Sequence, residues 1–485
     1  MSIDLSLDRI RRLLALLPQY TRPTIHVAGT NGKGSVCAVV SSILSASSPP
    51  LVVGRFNSPH LVSVLDCISI ENKPISAEAY ASARKQVERT DRENSVGASN
   101  FELLACTALL AFERAAVDVV VLEVGMGGRL DATNAVPDEY ILVSALTAVD
   151  LDHQAFLGDT VEAITREKAA IARPGKPFVI GPQVHPQVVH VARSIVQAAG
   201  GDVCSRAAIM MPCFTEPVFA ELPLHGAHQL ANLEVAAGIV SALLTHPACQ
   251  RPELKLKDRL TPVTVARGIR NTRWPGRLSY HTLQLPSESP TDSAGSRRVL
   301  VLADGAHNPA SATALADYLS DVLAKRASPD RPFTLTYVLG LSHSPPKTPV
   351  QTLAPLFALG ARFPVRLGAA LLRFTPPEGM PWVRAEPPSE LCAAVASFVP
   401  RLSPASELAF LPGSEDTGPD MEDPAQVLER ALRWAAGRSG GRGGERSQED
   451  GGDGLVVLAG SLYLVADFYR LLARLRQGAE IWGAK

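Results

Sequence analysis

The stretch Gly29-Thr30-Asn31-Gly32-Lys33-Gly34-Ser35 constrains this chain more than any other. It lies between a short apolar run, Ile25 to Ala28, and a longer one, Val36 to Leu44. The first has the length of a buried strand and the second that of an apolar helix. Glycine lacks Cβ, so a loop this rich in it can turn sharply and come close to a ligand. The amides that open the following helix point outward, and the helix dipole adds partial positive charge there. Lys33 supplies a full charge for β- and γ-phosphates, and Ser35 a hydroxyl for Mg²⁺. The general phosphate-loop pattern has Ser or Thr directly after Gly-Lys. Gly34 intervenes here, so the loop alone fits either a nucleotide cradle or a glycine-rich turn.

Composition narrows the class. A chain of 485 residues has room for two or three domains with sizeable cores. Its 46% hydrophobic and 20% charged residues are those of a globular protein. A net charge of −1 offers no electrostatic case for nucleic acid or anionic membrane, so neither is expected as a partner. The seven cysteines include no C-x-x-C pair, which argues for reduced thiols and against structural zinc. The N-terminus carries Asp4, Asp8, Arg11 and Arg12 among apolar residues and reads as a short amphipathic helix, not a signal peptide. No apolar run approaches the ~20 residues of a membrane span. The expected compartment is the cytoplasm, with the mitochondrion left open.

Along the chain, Leu51 to Gly54 is a second apolar run, leading into the polar loop Phe56 to Leu61. Val117 to Val124 reads as a buried strand with Glu123 at its carboxyl end, ahead of the loop Gly125 to Asn134. Ligands of open α/β sheets sit beyond the carboxyl ends of strands. Glu123 therefore reads either as a holder of Mg²⁺ or as a cap on a tight turn. Asp150 to His153 follows the run Ile141 to Ala145, and a helix then carries Glu167-Lys168. Pro286 to Arg298 is rich in Ser, Pro and Asp, and the domain boundary is placed near residue 280. Further apolar runs (335–339, 365–367, 408–411, 455–458) alternate with helices, the pattern of parallel βαβ units. Gly437 to Gly454 is low-complexity and expected to be a disordered surface loop.

Taken together, GTNGKGS at 29–35, SPHL at 58–61, EVGMGGRLDATN at 123–134, LDHQAFLGDT at 151–160, EK at 167–168, HQLAN at 228–232, WPGR at 274–277, DGAHNP at 304–309 and GSLYLV at 460–465 resemble, in the same order, the folylpolyglutamate and dihydrofolate synthase family of the Mur ligase superfamily. The resemblance implies an α/β protein with an N-terminal P-loop ATPase domain built on a parallel sheet (1–280) and a smaller C-terminal Rossmann-like domain (281–485). It implies an ATP-dependent ligase of monomeric habit, with Mg²⁺ as cofactor and ATP, L-glutamate and a pterin-linked carboxylate as substrates. Gly29, Thr30, Asn31, Gly32, Lys33, Gly34, Ser35, Asn232, Arg277, Asp304 and His307 carry over as nucleotide contacts. Ser35, Ser58, Glu123, His153 and Lys168 carry over as metal positions, Lys168 once carbamylated, with Lys33, Lys168, His153 and Glu123 as the catalytic set. A non-catalytic P-loop regulator is the alternative from another class. His153 and Lys168 speak against it, because a nucleotide switch needs neither.

The substrate is argued from one departure. Polyglutamate-extending members resemble V-R-E-R-I-R-I shortly after SPHL, whereas this chain has Val64-Leu65-Asp66-Cys67-Ile68-Ser69-Ile70. Arginine suits carboxylates through its bidentate fork. Its absence disfavours a glutamate-tailed substrate and points to dihydropteroate over tetrahydrofolate. Glu378 to Val383 also resembles a block of fungal dihydrofolate synthases. Lys347 is followed by Thr348, where the family commonly has Lys-Asp.

Overall fold

A computed structural model describes residues 6–204, 220–285, 297–328, 333–378, 380, 383–402, 407–412, 422–439 and 454–475. The chain divides into two compact units, Met1–Trp274 and Pro275–Lys485. In the first, β1 (Thr24–Ala28), β2 (Val53–Phe56), β3 (Ile68–Ile70), β4 (Lys73–Pro74), β5 (Val119–Glu123), β6 (Ile141–Leu146), β7 (Pro177–Ile180) and β8 (Asp202–Cys204) form one sheet. The spatial order is β4-β3-β2-β5-β1-β6-β7-β8. The six strands from β2 to β8 in that order run parallel, and the β3 and β4 edge is antiparallel.

Both faces of this sheet are covered, which is why β1, β5 and β6 are buried at every residue. On one face Ile25, Val27, Val53 and Val121 pack with α2 (Lys33–Ser45), α7 (Ala227–Thr245) and α8 (Pro262–Arg270). On the other, Phe56, Val120 and Leu122 pack with α1 (Asp8–Leu16), α3 (Ala77–Glu93) and α4 (Asn100–Arg114). The helices α5 (Val161–Ala169) and α6 (Pro186–Ala198) share a further cluster with Leu146 and Phe178. The run at 51–54 was expected to end before Phe56, but β2 continues to Phe56. Its ladders to Leu122 and Ile68 hold that residue in the sheet.

α7 corrects a second expectation. At 19 residues it is long and apolar enough by composition to cross a membrane. However, 72% of its apolar window is buried inside the unit, against β6, β7 and α2. A core helix meets the same compositional test as a span.

The second unit holds β9 (Ser279–Leu285), β10 (Arg297–Ala303), β11 (Phe333–Leu339), β12 (Val365–Leu371), β13 (Glu407–Pro412) and β14 (Gly454–Ala459), in the order β13-β12-β11-β14-β10-β9. Only β9 is antiparallel to its neighbour. Its helices are α9 (Pro309–Arg326), α10 (Pro349–Phe357), α11 (Pro388–Ala396), α12 (Pro424–Ser439) and α13 (Leu462–Leu475). Residues 286–296 of the Ser/Pro-rich insertion and 440–453 of the Gly/Arg-rich one lie outside the described residues.

Candidate active site

Gly29 to Gly32 leave the carboxyl end of β1 and enter α2 at Lys33. The loop is tied to the segment after β6: Thr30 N donates to Ala148 O at 2.8 Å, and Thr147 Oγ1 donates to Asn31 O at 2.7 Å. Two glycines are required by geometry. Gly29 has φ +149°, and a Cβ there would lie 1.8 Å from Thr147 Oγ1. Gly32 has φ +91°, and its Cβ would lie 2.1 Å from Asn232 Oδ1. Asn232, on α7, is thus placed directly against the loop, its Nδ2 donating to Gln229 Oε1 at 2.9 Å. Ser35 is buried in the first turn of α2.

β5 delivers Glu123 beside this loop. Lys33 Nζ lies 3.8 Å from Glu123 Oε1, with the two side chains 15% and 7% exposed. Asn57, just past β2, donates from Nδ2 to Glu123 Oε2 at 2.7 Å, while its buried Oδ1 has no partner. In the sequence Asn57 carries no signal beyond its place directly ahead of Ser58. A carboxylate beside an orphaned amide oxygen is the donor chemistry that hard divalent cations take. Ser58, next in the chain, is half-buried. Among the described residues no three His, Cys, Asp or Glu side chains gather as a metal cluster. The expected metal set contains only two of those types, Glu123 and His153, and the rest are hydroxyls and an amine. His153 is exposed, in left-handed backbone (φ 52°), ahead of the short helix Gln154–Leu157.

Lys168 is buried on α5, its Nζ donating to Gly29 O at 3.0 Å. Burial, and after it the charge of Lys33, pull its pKa down to about 7, against opposing pulls from Asp152 and Asp131. A lysine that is substantially neutral near pH 7 is nucleophilic, as carbamylation by CO₂ demands. Asp131, unassigned by sequence, organises the loop after β5. Its Oδ2 accepts from Met126 N at 2.8 Å and its Oδ1 from Thr133 N at 3.0 Å. Thr133 Oγ1 in turn lies 2.8 Å from His26 Nε2.

In the second unit the structure brings Arg277, Asp304 and His307 together at the carboxyl end of β10. Asp304 accepts from Leu278 N and Ala306 N, both at 2.8 Å, which fastens the 304–307 loop to the Arg277 turn. Arg277 Nη1 lies so close to Gly305 that a Cβ there would be 2.4 Å away. His307 Nδ1 lies 2.9 Å from Gly305 O.

The family profile described as "Dihydrofolate synthetase, C-terminal domain" matches residues 289–471. Dihydrofolate synthetase of Saccharomyces cerevisiae is 36% identical over 403 residues, covering 81% of this chain and 86% of the yeast protein. The chain belongs to the dihydrofolate synthase/folylpolyglutamate synthase family. Structures agree: Escherichia coli FolC in complex with DHPP and ADP matches with a TM-score of 0.68 at 25% identity, covering 98% of this chain and 95% of that one. A bifunctional folylpolyglutamate synthase/dihydrofolate synthase with Mn, AMPPNP and L-glutamate bound matches at 0.67 and 25% identity, over 97% and 95% of the two chains.

For a synthase of this family the arginine-free stretch becomes interpretable. Val64–Cys67 is a 3₁₀ turn running into β3, and Cys67, 1% exposed, is part of the apolar core, with Leu65 packed against it. Ser69 has Arg55 of β2 as its cross-strand neighbour, so one guanidinium does stand on this ladder. Of the Glu378–Val383 block, Gly379, Pro381 and Trp382 lie outside the described residues, and Met380 Sδ accepts from Tyr463 Oη at 3.9 Å.

Proposed function

We infer that this chain is a dihydrofolate synthase, an ATP-dependent ligase that joins L-glutamate to 7,8-dihydropteroate and yields dihydrofolate, ADP and phosphate. The observation that carries the reading is the juxtaposition of Lys33 with Glu123 and Asn57 where β1, β5 and β2 end. The yeast relative bears the name of this activity, and of the related structures one holds DHPP and ADP and the other Mn, AMPPNP and L-glutamate.

A free carboxylate is a poor acyl donor, because its leaving group would be oxide. Phosphoryl transfer from ATP makes an acyl phosphate, which the amine of glutamate attacks, releasing phosphate. Such transfer depends on positioning and on charge stabilisation. Lys33 and the first amides of α2 meet the phosphates, and Asn232 fixes Gly32 beneath them. Glu123, Asn57 Oδ1, Ser35 and Ser58 would hold a divalent cation, and Lys168 would join them as a carbamate. The cation would neutralise charge on the transferred phosphoryl group. By the family resemblance, Arg277, Asp304 and His307 are assigned to nucleotide contact and His153 to the metal set.

The test is a side-by-side assay with dihydropteroate and tetrahydrofolate, products sized by mass spectrometry. Phosphate release that requires ATP, Mg²⁺, glutamate and dihydropteroate together, with a single glutamate added, is expected. A ladder of glutamates on tetrahydrofolate would assign the polyglutamate activity instead.

A further inference from the structure

Arg55 is a buried charge that the site described above leaves without a role. Alternation along β2 turns Gly54 toward Phe112 of α4, and Arg55 toward the opposite face, where α2 lies. The residue is 4% exposed. Its Nη1 reaches Asn72 Oδ1 at 3.5 Å and its Nη2 reaches Ser69 Oγ at 3.4 Å, both at the outer limit of a hydrogen bond. Its Nε is buried without a partner. A guanidinium carries five donors; the Glu123 carboxylate favours its charge through space, but its hydrogen-bond acceptors are neutral and distant, and such burial is costly. Burial lowers its pKa only to about 10, so it remains a cation at neutral pH. What it does meet is Trp274: Arg55 Cζ lies 5.2 Å from the indole centroid.

Trp274 has a second neighbour. A Cβ added to Gly34 would lie 2.5 Å from Trp274 Cζ2 and 3.1 Å from Cε2, so the indole lies close against bare glycine backbone in the first turn of α2. That contact gives a physical reason for the glycine that interrupts the general phosphate-loop pattern between Lys33 and Ser35. No larger residue fits beneath the ring. We propose that Arg55 is a positioning residue for the nucleotide loop, holding Trp274 against Gly34 and so fixing Lys33 and Ser35 on either side of it. The inference rests on the reading that nucleotide binds at residues 29–35.

The experiment is a double-mutant cycle on the full chain, read as the affinity for Mg-ADP by calorimetry. Arg55→Met weakens ADP binding about tenfold, the scale of a desolvated cation–π contact. In a Trp274→Leu background the same substitution has less than about a twofold effect, because the contact it acts through is gone. Arg55→Lys, which keeps a cation over the ring, stays within about threefold of wild type. The KM for ATP rises while that for glutamate is unchanged. If Arg55→Met does not fold, Arg55→Gln, uncharged but able to bond Ser69 and Asn72, carries the same expectation. A lowered melting temperature with unchanged ADP affinity, or equal losses with and without Trp274, overturns the proposal. Wild-type protein that fails to bind ADP overturns the nucleotide-loop reading itself, a separate result from either of these.

Discussion

Lys168 offers the sharpest test of the site. An unperturbed lysine, with a pKa of 10.5, is neutral in only about three molecules per ten thousand at pH 7. With its pKa near 7, Lys168 is neutral in about one tenth of molecules at pH 6, half at pH 7 and nine tenths at pH 8. Only the neutral amine reacts with CO₂. Protein equilibrated with ¹³C-bicarbonate should therefore show one carbamate signal by NMR that grows between pH 6 and 8, and that Lys168→Met abolishes. Burial is the leading cause of the shift and Lys33 the second, so Lys33→Met should move the midpoint upward while leaving it below the usual lysine range. The same shift is a stability statement. Between about pH 7 and 10.5 the unfolded chain holds a proton that the native state lacks, so stability attributable to this group rises with pH, by about 1.4 kcal/mol per unit at most. Relative to Lys168→Met, the wild type should therefore lose stability as pH falls from 10 to 7, measured by denaturant unfolding. A carbamate midpoint near 10, or a wild-type-minus-variant difference that is flat with pH, would refute this account.

Other expectations follow from particular contacts. Gly32→Ala should abolish nucleotide binding by calorimetry while the circular dichroism stays native, since the Cβ meets Asn232 Oδ1 in a left-handed backbone. Glu123→Gln should raise the Mn²⁺ concentration needed for half-maximal phosphate release at least tenfold, because the carboxylate charge that holds the cation is removed. Cys67→Arg, a charge in an apolar core, should lower the melting temperature sharply, at a cost of several kcal/mol. Leu65→Arg, at a partly buried site, should fold, and any gain in activity on tetrahydrofolate over dihydropteroate would tie substrate choice to that turn.

The division between what was written in the chain and what was not follows from the range of the forces involved. Strand, phosphate loop and helix at residues 24–45 were legible because apolar run length and the backbone freedom of glycine act within a dozen residues. Glu123 at a strand end and Lys168 on a helix were legible for the same reason, and the resemblance supplied their grouping. The lie of α7 was not, since an apolar helix of that length looks alike in a core and in a membrane. Asn57 and Arg55 were also hidden. An asparagine in a polar loop has no signature until β5 brings Glu123 to 2.7 Å, and an arginine at the end of an apolar run looks solvent-bound until β3, α2 and Trp274 close over it. The chemical vocabulary of the site was thus set by sequence alone: a phosphate loop, an acidic strand end and a helical lysine. Which of these groups lose their water was decided by tertiary structure, because desolvation is a sum over neighbours distant in the chain. That sum pulls the Lys168 pKa far down and leaves Asn57 Oδ1 unpaired.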